Sequence, residues 1–294
     1  MPLRVPYEYR RLGRLLLRDK VALLALLILL AVVVIAIFAP AVAPDEPDRQ
    51  DLDQRLLPPA WTTAGTAQHL LGTDALGRDN LSRVIFASRV SLAVGGSVIG
   101  ITLVIGTTLG LLSGYFRGKL DDLVMAITDS IMAFPGLLMI LAVAALMGPG
   151  LTTIIAALSV RFWTTYARVT RGLVMSIREE EYITAARALG GSELRSVWVH
   201  VIPNILSPLM ALIPLELGRV MLAEASVSFL GLGVQSPMTS WGMLVAEGRD
   251  YISRAWWLIT FAGLALFMTI LASNMLGSWL RLSTDPMHRR RLEA

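Results

Sequence analysis

Four mainly apolar stretches of this chain carry no charged residue over a length greater than a lipid bilayer requires. They run 23 residues at 21–43, 27 at 90–116, 31 at 130–160 and 26 at 255–280. A helix crossing the hydrocarbon core needs about 20 mainly apolar residues, so such runs predict membrane spans. The whole chain agrees with this: of 294 residues 55% are hydrophobic and 16% charged, with mean hydropathy +0.63, whereas soluble domains carry about 25% charged residues.

The 31-residue run is too long for one span and is interrupted by the tripeptide GPG at 148–150. It reads as the end of one helix (about 122–147), a tight turn, and the start of another (about 151–171). A further helix fits about 206–227, with Ser207 as N-cap and Pro208 in its first turn. Six spans result. The first is read as a retained anchor rather than a secretory signal, because its apolar stretch exceeds the roughly 7–15 residues of a signal core. Lys and Arg concentrate on the cytoplasmic side of membrane helices. With a cytoplasmic N-terminus, 17 fall inside, seven outside, and Arg161 and Arg219 within spans. Both termini are therefore predicted to be cytoplasmic.

Three segments lie outside the spans. An outer loop at 44–89 opens with the acidic, Pro-rich APDEPDRQDLD and ends in an amphipathic pattern (Leu81, Val84, Ile85, Ser88) that predicts an interfacial helix. An inside segment at about 172–205 holds EYITAARAL and ELRSVWVHV, two short helices separated by Gly190 and Gly191. An outer segment at about 228–254, with FLGLG and Trp241, predicts a loop with a re-entrant or interfacial element. Gly106, Gly110 and Gly114 share one face of the second span and allow close helix packing, expected within the bundle rather than between subunits.

Catalytic chemistry finds little support. The chain has no cysteine and three scattered histidines, His69, His200 and His288, so no Cys- or His-based metal site is expected. Gly118 and Lys119 lack the remainder of a G-x-x-x-x-G-K-[ST] loop, and neither HExxH nor GxSxG occurs. The mild net charge of +4 is too dispersed for a nucleic-acid footprint. Charges within spans are costly and hence candidate functional groups. Asp129 and Arg161, each about 10 Å from the cytoplasmic boundary, are expected to pair. Glu216 and Arg219, three apart on one face near the midplane, are expected to pair or to line a path, and Glu224 lies near the outer end.

From Glu181 the inside segment reads EYITAARALGGSELRSVWVHVIPN. It resembles the cytoplasmic EAA signature, E-A-A-x3-G-x9-I-x-L-P, of the membrane subunits of ABC importers. Ala185, Ala186, Gly190 and Pro203 match; Thr184, His200 and Ile202 replace the glutamate, isoleucine and leucine. Glu181 with Tyr182, and His200 before Ile-Pro-Asn, are similar to the peptide-transporting branch. HLLGTDALGRDNLSRVIFASRVSL at 69–92, TDSIMAFPGLL at 128–138, RFWTTYARVTRG at 161–172, SFLGLGVQSP at 228–237, SWG at 240–242 and LRLSTDP at 280–286 extend that likeness over nearly the whole chain past residue 15.

The resemblance implies an all-α membrane protein that is the second of two permease subunits of a dipeptide- or oligopeptide-type ABC importer. Its two-helix element at 172–205, carrying Glu181, Tyr182, Ala185, Ala186, Gly190, His200 and Pro203, would couple to an ATPase. Implied partners are a second homologous permease, two cytoplasmic ATPase subunits that hold ATP and Mg, and an extracytoplasmic binding protein, in the inner membrane of a bacterial or archaeal cell. This chain would itself bind no cofactor and be no enzyme. The organisation expected is a cytoplasmic segment 1–20, a first span 21–43, the outer loop 44–89, a five-helix core 90–280 and a basic tail 281–294. Nickel or glutathione importers look much the same. A secondary transporter would need internal repeats and coupling-ion sites, and a membrane enzyme would need an acid–base or nucleophile constellation. Neither is visible.

Overall fold

The computed structural model describes residues 13, 15–188 and 191–284, the side chains of 186–188 and 284 excepted. Among them the regular structure is helical, with one isolated β-bridge between Thr73 and Asp79. Four helical runs are long and apolar enough to cross a membrane: Lys20–Ile37, Asn80–Phe116, Glu193–Phe229 and Trp257–Ser283. A bent pair, Gly118–Ala133 with Gly136–Met147, makes a fifth if counted as one span.

Helix α1 (Lys20–Ile37) is capped by Asp19, whose carboxylate accepts from the amides of Val21 and Ala22 at 3.0 and 3.1 Å. Its buried positions, Ala22, Ala25 and Ala36, are small, while Val21, Leu24, Leu27 and Leu30 face outward. A one-turn helix α2 (Ala39–Val42) follows. Helix α3 (Asn80–Phe116) begins ten residues before the expected span. Asp79 caps it by accepting from Ser82 N at 2.7 Å. Its 37 residues extend about 55 Å, well beyond a hydrocarbon core of about 30 Å. The amphipathic end of the outer loop is therefore the first turns of α3 and not a separate interfacial helix.

The predicted single helix at 122–147 is instead broken. Helix α4 (Gly118–Ala133) and helix α5 (Gly136–Met147) meet at 94°. Pro135 lacks an N–H and disfavours helical backbone at the residue before it; Phe134 is extended, with ψ 143°. Gly148 and Gly150, at φ +81° and +149°, make the expected turn into helix α6 (Leu151–Arg178). Carrying four arginines, α6 is long enough to span but not apolar enough to be recognised by composition.

Helices α3 and α6 form the most extensive helix contact among the described residues. A Cβ on Gly106 would lie 2.4 Å from Trp163 O, on Gly110 2.4 Å from Ala167 O, and on Gly114 2.8 Å from Arg171 O. Both series advance by four in the same direction, so α3 and α6 run parallel and the glycine stripe is an internal seam, as expected.

Helix α7 (Glu181–Ala188) and helix α8 (Glu193–Ser196) follow; Leu189 and Gly190 lie outside the described residues. From α8 the chain passes through a π-helical turn, Val197–Val201, into helix α9 (Ile202–Phe229). Ser207 and Pro208 do not open this helix. Pro208 and Pro214 both lie inside it, each deleting one backbone hydrogen bond without stopping it, as membrane helices tolerate where neighbours pack against them. Helix α10 (Trp241–Gly248), capped by Ser240, packs on helix α11 (Trp257–Thr284), the last among the described residues.

The outer loop is folded rather than loose. His69 Nδ1 meets Asp79 at 2.9 Å and its Nε2 meets Gln54 at 2.8 Å. Trp257 Nε1 donates to Thr73 O at 3.1 Å, pinning the loop to the start of α11. Asp74 accepts from Arg78 at 2.6 Å and from Arg83 at 2.8 Å, and Arg83 also reaches Glu247 at 2.7 Å. These bonds tie the loop, α3 and α10 together.

Candidate functional site

Two regions concentrate the residues singled out in the sequence. The first is the element formed by α7, α8 and the π turn. Glu181 and Ala185 are exposed, and Tyr182, 45% exposed, stacks edge-on against His200 with ring centroids 5.8 Å apart. Partial burial, then the charge of Glu180, pushes the Tyr182 phenol above its ordinary pKa. Asn204 donates to His200 O at 2.6 Å and to the Tyr182 hydroxyl at 3.5 Å. Pro203 sits at the start of α9, where its missing N–H and ring disfavour regular α-helical bonding to the preceding turn; the π turn lies there. The Ala186 side chain and Gly190 lie outside the described residues.

This element is fastened to α3. The Tyr115 hydroxyl donates to Glu193, reaching its carbonyl at 3.3 Å and also its carboxylate. The Arg178 guanidinium lies 5.4 Å from the Tyr115 ring centroid. Below it, Asp121 receives Arg171 through two bonds of 2.6 Å and the Ser113 hydroxyl at 2.5 Å. None of Tyr115, Glu193, Ser113, Asp121 and Arg171 is foreseen from the sequence as part of a linkage, because each partner comes from a different helix. The available signal was the acidic Asp121, beside Arg117, Lys119 and Asp122 just past the uncharged run 90–116, together with the basic Arg171.

The second region is a cavity of about 340 Å³ at the bend of α4 and α5. Gly136, Arg161, Thr165, Glu216, Arg219 and Ser226 are among its lining. Glu216 is buried, 1% exposed, and its Oε1 accepts from Arg219 at 2.8 Å; its Oε2 and Arg161 Nε have no protein partner. The expected pairing of Asp129 with Arg161 is corrected. Asp129 pairs with Arg168 at an exposed position, while Arg161 Nη1 donates to Thr164 at 3.2 Å and its Nε lies beside Gly136. The two acid–base candidates fall on either side of the break at Pro135: Asp129 lies on α4, where its neighbour on α6 is Arg168, whereas Arg161 lies beside Gly136 at the start of α5.

Glu216 and Arg219 pair as expected, although the pair is not sealed, since the Arg219 side chain is 67% exposed. Glu224 is separate from the cavity: buried, it accepts from Ser228 and Ser240, both at 2.7 Å, and so joins the end of α9 to the cap of α10.

Comparison with known proteins agrees with the arrangement. Residues 106–287 match the family "Binding-protein-dependent transport system inner membrane component", and residues 9–59 match the "N-terminal TM domain of oligopeptide transport permease C". The di/tripeptide transport system permease protein DppC of Pseudomonas aeruginosa is 41% identical over 91% of this chain and 88% of its own. The dipeptide transport system permease protein DppC of Haemophilus influenzae is 35% identical over 92% and 91%. The glutathione transport system permease protein GsiD of Pectobacterium atrosepticum is 36% identical over 95% and 91%. Matched along its length to permease subunits in this way, the chain is a permease: it belongs to the binding-protein-dependent transport system inner membrane components of ABC importers.

Proposed function

We propose that this chain forms one half of the translocation path for di- or oligopeptides in an ATP-driven importer. It crosses the membrane six times, the bent pair α4 and α5 counting as one span and α6 as another, with both termini in the cytoplasm. It pairs with a second homologous permease, two ATPase subunits holding ATP and Mg, and an extracytoplasmic binding protein, in a bacterial inner membrane. The element comprising α7, α8 and the π turn is the coupling element. Glu181, Tyr182, Ala185, Ala186, Gly190, His200 and Pro203 shape its surface and its turn. Its solvent-facing side seats in an ATPase groove.

One observation carries this reading: α8, the π turn and α9 form one continuous helical run, Glu193–Phe229, that also carries Glu216 and Arg219. A displacement of the coupling element by ATPase closure is thus delivered to the cavity about 22 Å away without a flexible joint, and through Tyr115 to α3 as well. Such rigid-body transmission suits a switching transporter. A cargo of glutathione has specific support in the relative named for it.

Because the chain has no cysteine, single cysteines report topology directly. Cysteines at Pro47 and Gln235 should label from outside, and Ser192→Cys from the cytoplasm alone. In the assembled complex, Gly190→Ile and Ala186→Glu should depress substrate-stimulated ATP hydrolysis and uptake together, with the chain still inserted. Labelling of Ser192→Cys from the outer face alone refutes the topology, and full coupling in both variants refutes the assignment of the element.

A further inference from the structure

Three positive features converge on the cavity at the α4/α5 bend. Arg161 and Arg219 line it, and α5, 12 residues long, begins there at Gly136. The first-turn amides of a helix have no helical acceptor and carry the positive end of its dipole. A Cβ on Gly136 would lie 3.1 Å from Arg161 Nε, so the glycine admits the guanidinium to the start of the helix. Placing a cation against a helix N-terminus is locally unfavourable. A sequence breaks such rules where function requires it.

Against these features stands one acid. Glu216 neutralises a single positive charge, using only Oε1. Its Oε2, fully buried, and Arg161 Nε are polar atoms without a protein partner. Buried polar atoms of this kind are uncommon and call for a reason. The cavity thus sets two arginines and a helix start against one acid, which still has one carboxylate oxygen without a protein partner.

We infer that this cavity is a transit site for a zwitterionic substrate, with Arg161 and the start of α5 receiving its carboxylate and Glu216 receiving its ammonium group. This rests on the reading of the cavity as part of the path. A helix broken within the membrane, with its N-terminus turned toward an anionic group, is a recurrent way of holding such a substrate there. Its volume falls within the range of small-ligand pockets, about 300–1,000 Å³. The carboxylate of a free dipeptide compensates Arg161, whereas an amidated one leaves Arg161 uncompensated at membrane depth.

The test uses Thr165→Cys, one α6 turn from Arg161, in membranes holding the assembled importer and opened to both sides. Sulfonatoethyl thiosulfonate, an anion, should label it roughly tenfold faster than the trimethylammonioethyl cation, the effect of about one charge at close range, and Arg161→Gln should remove that preference. Ala-Ala should protect the cysteine, Ala-Ala amide should not, and N-acetyl-Ala-Ala should protect weakly. In Glu216→Gln the free and N-acetylated dipeptides should become equal, a readout that holds even if Arg161→Gln fails to assemble. Equal labelling by both reagents, or equal protection by the amide, overturns the carboxylate site and leaves the path reading standing. No labelling by either reagent overturns both.

Discussion

Two arginine–carboxylate pairs in this molecule differ in how much of their bonding capacity they spend. Asp121 and Arg171 meet through two bonds of 2.6 Å, and Ser113 completes the carboxylate, so one acid joins α3, α4 and α6. Glu216 and Arg219 lie on the same helix, meet through one bond of 2.8 Å, and leave one carboxylate oxygen without a partner. The first pair joins helices and is closed. The second joins none and leaves an acceptor unused. Chemical type therefore does not separate a brace from a site; saturation and connectivity do.

The sharpest way to break this contrast is Asp121→Ala. Removing one partner of a buried pair costs about 3–5 kcal/mol, and Arg171 is partly exposed, so the lower end is expected. Thermal unfolding of the detergent-solubilised complex should shift strongly downward and the assembled amount should fall, with Asp121→Asn milder. A melting temperature unchanged by Asp121→Ala would remove the brace from the comparison.

Glu216→Gln should do the reverse. Assembly and melting should stay as in the parent, while uptake falls about tenfold, equivalent to about 1.4 kcal/mol. If the melting temperature drops as far as for Asp121→Ala, the midplane pair is itself a brace.

The smallest effect is expected at Arg117, which bonds Glu179 at 2.6 Å with the two side chains 41% and 69% exposed. Exposed pairs contribute about 0–1 kcal/mol, so Arg117→Gln should barely move the melting temperature. A shift comparable to that of Asp121→Ala would show that bond length, not burial and connectivity, ranks these pairs.

Much of this arrangement is legible in the chain itself. The uncharged runs mark α1, α3 and α11, the GPG turn separates α5 from α6, and the four-residue glycine spacing marks the seam beneath α3. Pro135 also stands in plain view inside the expected helix at 122–147, and its effect on the preceding residue is the signal for the break. Illegible was the register that the break imposes. Depth counted along two straight helices brings Asp129 to Arg161, but the bend moves the facing position to Gly136. In the same way, Ser207 and Pro208 look like a helix start, although the apolar packing of α9 carries the helix through both prolines.

That the chain enters a membrane, where its helices are apolar and which family its motifs serve can all be read from the order of residues, because these depend on local composition and on residues close together along the chain. The tertiary structure decided which charges meet. Ser113, Asp121 and Arg171, or Gly136, Arg161 and Glu216, lie on separate helices, and their distances follow from how those helices bend and pack.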